Sequence, residues 1–210
     1  MTSIKYGLCY SCFLRFKWDN YYPCDSQFCL RCGIKLLGEK DICLECREDE
    51  FPLCNSSLYP YRGVFKDLIQ YYKFDKEKRL ALFFASQIDS CLRSNGYLNY
   101  TLVPIPPEKG KKFRTGWDQV ELIISYLKKW GWSTGNYFLK EKGQSQKSLN
   151  REERQIASAG RFYLMKNISL PPRIMIIDDV FTTGSTLKEC YKILNGKGLY
   201  EIRSLTIVRD

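Results

Sequence analysis

The chain has 210 residues, of which 44% are hydrophobic and 15% aromatic, so it can bury the core of one ordinary domain with a small appendage. No apolar stretch approaches the ~20 residues of a membrane-spanning helix, and the first residues lack the apolar region of a signal peptide, so we expect a cytoplasmic protein with no membrane partner. The formal net charge is +10, and the excess lies after residue 60. It suits polyphosphate or nucleic acid, although surface lysines that promote solubility explain a moderate excess equally well.

The chain has ten cysteines and no histidine, which excludes Ser–His and Cys–His nucleophile schemes and leaves any metal site to thiolates. Eight cysteines lie in the first 54 residues, and six of them form three Cys-x-x-Cys pairs: Cys9/Cys12, Cys29/Cys32 and Cys43/Cys46. In a cytoplasmic chain this clustering indicates metal rather than disulfides. A redox-active pair is the alternative, and three pairs so close together disfavour it.

Two Cys-x-x-Cys pairs brought together form a tetrahedral site that closes around zinc. Gly33 lets the second pair turn, and ten residues separate Cys32 from Cys43, which fits the hairpin of a zinc ribbon. We predict at least one structural zinc; the first pair, at residues 9 and 12, can instead join either of the others. Cys24 and Cys54 either complete a second site or are spare buried thiols, and the second interpretation is preferred.

Residues 51–59 are interpreted as a link between a cysteine-rich zinc-binding domain, 1–58, and a second domain, 59–210. Two helices are predicted first, from Val64 to about Lys73 and from Leu80 to Leu92, because apolar residues recur there at helical spacing. From Thr101 onward the predicted order is strand, loop, helix, insert, strand, loop, helix, strand. That order predicts an α/β fold with a mostly parallel central sheet.

The loop after the first of these strands, residues 108–119, is rich in basic residues and glycine. Its candidate ligand-binding residues are Lys111, Lys112, Arg114, Gly116 and Gln119. A basic, glycine-containing loop that opens a helix can hold a pyrophosphate, and a solvated lysine loop is the equally weighted alternative. The polar segment from 140 to 162 is typical of a mobile loop that closes over a substrate.

The most informative stretch is 174–187. Four apolar residues, 174–177, predict a buried strand, and Asp178 and Asp179 follow at once. The next turn consists of small residues: Thr182, Thr183, Gly184, Ser185 and Thr186. A helical pattern of apolar residues follows this turn. Its amide and hydroxyl groups suit a phosphate, while the two acids can accept hydrogen bonds from a sugar diol or hold a hydrated divalent ion.

The alternative for each of these residues is ordinary helix capping, which needs one acceptor rather than two adjacent acids before a phosphate-sized loop. A Walker-type nucleoside triphosphatase is disfavoured, because Gly-x4-Gly-Lys-Ser/Thr is absent and the turn has no lysine.

The run Ile-Ile-Asp-Asp-Val-Phe-Thr-Thr-Gly-Ser-Thr resembles the signature of the type I phosphoribosyltransferases, which bind phosphoribosyl pyrophosphate. The resemblance implies that Asp178 and Asp179 contact the ribose hydroxyls and that the loop from Thr182 to Thr186 holds the 5′-phosphate. It also implies a type I phosphoribosyltransferase-like fold, with a small N-terminal zinc-ribbon segment in this chain. It does not name an acceptor or a catalytic residue.

A narrower resemblance covers nearly the whole chain. The cysteine pairs, Leu-Ile-Gln-Tyr-Tyr-Lys-Phe ending at residue 74, Val-Pro-Ile-Pro ending at 106, Thr-Gly-Trp-Asp-Gln ending at 119 and the acid pair are together similar to the ComF family. These phosphoribosyltransferase-like proteins are associated with natural competence and with incoming single-stranded DNA. Family members typically have Arg-Gly-Phe-Asn-Gln where this chain has Thr115 to Gln119, and an asparagine where it has Ala157.

Two functions follow from these residues and resemblances. In the first, the chain binds phosphoribosyl pyrophosphate or a ribose phosphate with Mg²⁺ and acts as a phosphoribosyltransferase (a glycosyltransferase), with the basic loop at the departing pyrophosphate. In the second, it is a non-catalytic module that binds single-stranded DNA and a partner such as a competence helicase, with Phe113 and Trp117 as stacking surfaces among the basic groups. Both include structural zinc.

Overall fold

A computed structural model describes residues 4–5, 8–9, 28–48, 53–107, 116–140 and 162–210. A short antiparallel pair comes first, formed by β1 (Ile4–Lys5) and β2 (Leu8–Cys9). The main sheet has four strands, all parallel, in the order β3 (Cys54–Pro60), β8 (Glu201–Arg209), β7 (Arg173–Phe181), β4 (Thr101–Pro104). A second antiparallel pair is formed by β5 (Phe138–Lys140) and β6 (Phe162–Leu164).

The helices are α1 (Leu44–Glu48), α2 (Gly63–Lys73), α3 (Leu80–Ser94), α4 (Gln119–Lys129) and α5 (Ser185–Leu194). The predicted α/β fold with a mostly parallel central sheet and a small cysteine-rich segment before it is confirmed. Long helical repeats of apolar residues and the apolar run 174–177 carry enough local signal to predict their elements. Among the described residues, no helix combines the length and the apolar surface needed to span a bilayer.

Two hydrophobic clusters lie on opposite faces of the main sheet. One contains the apolar sides of α2, α3 and α4, packed on Met175 and Ile177 of β7. The other contains α5, the β5–β6 pair and four buried cysteines, packed on Ile174 and Ile176. Because neighbouring side chains of a strand point to opposite faces, β7 is buried on both sides. Helices and the cysteine segment therefore enclose the sheet in three layers.

The interpretation of residues 51–59 as a linker is wrong for residues 54–59, which belong to the edge strand β3 and pair in parallel with β8. The predicted boundary between 58 and 59 falls inside this strand. The strand was missed because it has no apolar alternation. Its inward groups form a buried polar ladder with β8: Ser57 Oγ lies 2.7 Å from Thr206 Oγ1, and Ser204 Oγ donates to Asn55 Oδ1 at 2.9 Å.

Candidate functional site and metal centre

The acid pair lies inside β7 rather than after it. Pairing with β4 ends at Ile177, whereas pairing with β8 continues to Phe181, so both acids lie where the central strand extends beyond its shorter neighbour. Alternation along β7 places Asp178 on the α5 face and Asp179 on the α2 face of the sheet. The two carboxylates thus sit at the carboxyl edge, where parallel α/β sheets bind ligands.

Asp179 is held by a lysine that the sequence did not identify as a site residue. Lys73 Nζ at the end of α2 lies 2.8 Å from Asp179 Oδ2, and both side chains are partly buried. The Lys73 carbonyl also accepts a 3.4 Å hydrogen bond from Gln119 Nε2, and Gln119 O accepts one from Tyr72 Oη at 2.6 Å. Lys73 belongs to the Leu-Ile-Gln-Tyr-Tyr-Lys-Phe motif, but nothing local predicts its pairing with Asp179, because the two residues are more than a hundred positions apart in the sequence.

Asp178 has a carboxyl group that resists ionisation. Burial and the adjacent charge of Asp179 raise its pKa to about 7, opposed by the Asp179 backbone N–H at 2.8 Å and by the charges of Lys73 and Lys140. On the same face, burial and the charge of Asp178 raise the pKa of the Cys190 thiol. Burial and the neighbouring carboxylate thus give Asp178 a strongly perturbed pKa at this edge of the sheet, as is common at functional sites.

The loop after β7 turns sharply into α5 at Gly184, which has φ 70° and is the N-cap residue of that helix. Glycine adopts this left-handed conformation without steric cost. Thr182, Thr183 and Ser185 are exposed, and Thr186 is half-buried. Thr183 Oγ1 accepts a 3.4 Å hydrogen bond from the Ser185 amide at the start of the helix. The first amides of α5 lack intrahelical acceptors, so the described loop offers amide and hydroxyl donors to an anion.

The basic loop lies mostly outside the described residues, including Lys111, Lys112 and Arg114. Gly116 is exposed with φ 77°, and Gln119 is buried under the site through its contact with Lys73. Asp118 caps α4, since its Oδ1 accepts from Glu121 N at 3.1 Å. A carboxylate at this position therefore has a structural explanation. The pyrophosphate role of this loop stays a prediction.

The interpretation of Trp117 as a stacking surface is wrong. Its side chain is 7% exposed and packs edge-on against Tyr72, with ring centroids 5.1 Å apart. Lys78 Nζ lies 5.6 Å from the centre of the same ring. An aromatic residue beside lysines in the sequence thus packs in the core, with a lysine above it. The other aromatic side chain predicted to stack, Phe113, lies outside the described residues.

Four cysteines form a buried cluster suited to a metal ion: Cys29, Cys32, Cys43 and Cys46. Their sulfur atoms all lie within 4.8 Å of one another, and Cys32 Sγ is 3.6 Å from Cys43 Sγ. Four Zn–S bonds of about 2.3 Å in a tetrahedron require S···S distances of roughly 3.8 Å. The cluster therefore fits zinc, as two of the three Cys-x-x-Cys pairs predicted.

Backbone groups around the cluster favour thiolates. Gly33 turns the chain with φ 73°, and the Cys43 amide donates to Cys29 Sγ at 3.4 Å. Burial opposes ionisation of Cys29, but backbone hydrogen bonds from Cys32 and Cys43 bring its pKa down to about 7. Burial raises the pKa of Cys32 to about 12, so ionising it requires a cation at the cluster.

The remaining cysteine predictions are resolved only in part. The side chain of Cys9 and all of Cys12 and Cys24 lie outside the described residues, so their place in a second site stays a prediction. Cys54 is exposed, so the interpretation of this residue as a spare buried thiol is wrong. It begins the edge strand β3, where its side chain points away from the core.

The site residues fit Mg²⁺ only through a ligand. Within the described part of the chain, the four-cysteine cluster is the only group of three or more histidine, cysteine or acidic side chains placed to share a metal. At the acid pair, Asp179 is already engaged by Lys73. Mg²⁺ usually keeps several waters and is held by one or two carboxylates together with substrate phosphates.

Curated relatives cover most of the chain. The chain is 28% identical over 195 residues to competence protein ComFC of Streptococcus pneumoniae, and this alignment covers 89% of the chain and 86% of the relative. It is 25% identical to ComFC of Bacillus subtilis, over 97% of this chain and 84% of the relative. It is 27% identical to competence protein F of Haemophilus influenzae, over 98% of this chain and 91% of the relative.

Among solved structures, a hypoxanthine phosphoribosyl transferase of Trypanosoma cruzi aligns with 60% of this chain and 61% of its own, at 13% identity and a TM-score of 0.38. An HPRT in which an invariant aspartic acid is replaced by asparagine aligns with 60% of this chain and 62% of its own, at 13% identity and a TM-score of 0.37. Both are phosphoribosyltransferases, and each alignment covers less than two thirds of that chain. No family model matches the sequence. The similarity to the ComF family that the motifs indicated is nevertheless confirmed along most of the chain by its three competence-protein homologues.

Proposed function

We propose that the chain binds phosphoribosyl pyrophosphate, with Mg²⁺ held chiefly by the ligand, at the carboxyl edge of its parallel sheet. The observation that carries the proposal is one short run of chain that provides an acid pair and, directly after it, a glycine-capped loop opening α5. The acids suit a ribose diol, and the loop donors suit a 5′-phosphate. The names of the relatives support a role in competence, and we propose DNA uptake or natural transformation as the process.

Each described group has a distinct task in this proposal. Amides of the loop from Thr182 to Thr186 bind phosphate oxygens, and Asp178 and Asp179 accept hydrogen bonds from the ribose hydroxyls. Lys73, now paired with Asp179 at 2.8 Å, provides a cation between the ribose and the pyrophosphate side of the site. Lys111, Lys112 and Arg114 are proposed to bind the pyrophosphate, where negative charge grows if the bond to the anomeric carbon breaks.

The proposed binding is tested by titration calorimetry of the metal-loaded protein with phosphoribosyl pyrophosphate and Mg²⁺. We expect binding by the wild type and a loss of about tenfold or more in affinity for Asp179→Ala, because two hydrogen bonds to a charged group disappear. Asp89→Asn is the matched control, since Asp89 is also ion-paired, with Arg93 at 2.8 Å, but lies on α3. Unchanged affinity in Asp179→Ala rejects the assignment of ribose contacts.

Transfer or cleavage is a separate step from binding. It is tested by measuring release of pyrophosphate in the presence of candidate acceptors. If phosphoribosyl pyrophosphate binds but no pyrophosphate is released, the chain binds this ligand without catalysing transfer. We also propose a cytoplasmic location, because buried thiols suited to zinc persist in a reducing compartment.

Single-stranded DNA binding is the second candidate, favoured by exposed aromatic residues beside basic ones. Tyr71 is 54% and Phe74 72% exposed at the end of α2, and Lys76 and Lys78 follow, in alternation with Asp75 and Glu77. Such a surface offers stacking and phosphate contacts together. Fluorescence anisotropy with an oligonucleotide should show affinity that falls steeply with salt and depends on Tyr71 and Phe74, with Tyr200→Ala as the exposed-tyrosine control. No binding at low salt removes this candidate.

A further inference from the structure

Arg209, near the end of β8, connects the cysteine cluster to the strand that carries the acid pair. Its Nη1 donates to the carbonyl of Cys32 at 2.8 Å, and its guanidinium carbon lies 4.5 Å from the centre of the Phe181 ring. Arg209 and Phe181 are also register partners across β8 and β7, and the Asp210 amide donates to Phe181 O at 2.9 Å. One side chain thus touches a predicted metal ligand and the last residue before the phosphate loop.

This arginine is a buried cation with few hydrogen-bond acceptors. It is 8% exposed, and no described residue accepts a hydrogen bond from its Nε. Burying a cation is costly unless negative charge lies nearby. A zinc ion held by four thiolates is a net negative centre, and it fixes Cys32, whose carbonyl accepts the hydrogen bond from Arg209. Metal occupancy therefore provides both the fixed acceptor and the nearby negative charge that stabilise Arg209 in this position.

The contact on Phe181 carries the effect to the candidate phosphate site. Phe181 immediately precedes the loop from Thr182 to Thr186, and its ring packs in the same cluster as the four cysteines and Leu187 of α5. A guanidinium over an aromatic ring stabilises the position of that ring, and more strongly where water is excluded. Loss of the Arg209 contact would therefore allow the Phe181 ring to move at the point where the loop begins.

We propose that Arg209 is a positioning residue that couples metal occupancy of the cysteine cluster to the order of the 182–187 segment. With metal bound, the arginine stays between Cys32 and Phe181 and holds the start of the loop. Without metal, it moves toward water, and the loop loosens. The consequence for ligand binding rests on the proposed function of this loop, whereas the coupling itself does not.

Hydrogen exchange of the full chain, metal-loaded and after chelation, tests the coupling. In the wild type we expect metal removal to raise exchange at 182–187 by about tenfold while residues 174–177 stay protected. In metal-loaded Arg209→Met we expect fast exchange at 182–187 with one zinc still bound, and little further change on chelation. Arg209→Lys keeps the charge but not the planar group, and should be intermediate.

Arg173→Met is the matched control, because Arg173 also stacks on an aromatic ring, Tyr200 at 4.7 Å, but at the other end of β7. It should behave as the wild type. Wild-type loop exchange unaffected by chelation overturns the proposal, as does Arg209→Met that retains zinc and normal loop protection. If chelation unfolds the whole chain, the comparison of metal-loaded wild type with metal-loaded Arg209→Met alone tests the coupling. Failure of metal-loaded wild type to bind phosphoribosyl pyrophosphate rejects the proposed function instead, and leaves the exchange result standing.

Discussion

The cysteine cluster and the acid-pair site lie on the same sheet but differ in how complete they are. In the cluster, four buried sulfurs face one another at distances that suit one ion, and backbone amides point at them. At the acid pair, hydroxyls are exposed, one carboxylate is engaged by Lys73, and the pKa of the other is raised to about 7. A closed thiolate site is typical of a structural metal, whereas an open site that contains a carboxyl group with a raised pKa is typical of a ligand-binding or catalytic position.

Removing the metal should have the largest effect on this comparison. Cys32→Ser should abolish zinc binding and lower the free energy of unfolding by several kcal/mol, on the order of 5, since a small metal segment buries little by itself. Metal analysis and thermal melting measure both effects. Cys91→Ser, at a buried thiol outside the cluster, should keep the metal. Less than one zinc per wild-type chain contradicts the assignment.

Neutralising Asp178 should stabilise the free protein in a pH-dependent way. Its folded pKa of about 7 lies above its ordinary value, so the folded state binds the extra proton and stability falls as pH rises from about 4 to 7. Asp178→Asn should therefore gain up to about 4 kcal/mol at pH 8 and much less at pH 4. Charged groups near Asp178 that shape the transition are Asp179, Lys73 and Lys140. Denaturant melts that show the same gain at both pH values refute the shifted pKa.

Removing Lys73, which pairs with Asp179, should weaken the proposed binding of phosphoribosyl pyrophosphate. Lys73→Met leaves Asp179 without its 2.8 Å partner and removes a cation from the polyphosphate side, so affinity for phosphoribosyl pyrophosphate should fall about tenfold. Arg79→Met is the control, because Arg79 is exposed and pairs with Glu77. Equal affinities of the two variants, measured by calorimetry, remove Lys73 from the site.

The smallest effect should come from the polar ladder that fixes β3 beside β8. Ser57→Ala leaves Thr206 without its 2.7 Å partner, which should cost about 1 kcal/mol. Ser56→Ala, one residue away and half-buried, should cost less. Chemical denaturation compares them, and identical losses show that the ladder contributes nothing specific.

The cysteine cluster could be predicted from the sequence because its ligands come in two local pairs. Helices α2 to α5 could be predicted from the helical spacing of their apolar residues, and strand β7 from the uninterrupted apolar run 174–177, because both signals are local. Lys73, Arg209 and the burial of Trp117 could not, because each depends on a contact between residues far apart in the chain. Strand β3 was missed because hydrogen-bonding side chains, rather than apolar ones, face its neighbour.

A crystal structure of the metal-loaded chain with phosphoribosyl pyrophosphate and Mg²⁺ is the most direct test of the proposed ligand site. We expect the 5′-phosphate within hydrogen-bond distance of amides in the loop from Thr182 to Thr186. We also expect the ribose hydroxyls on Asp178 and Asp179, with Lys73 turned toward the ligand. A ligand bound elsewhere, with the loop empty and Lys73 still on Asp179, contradicts it.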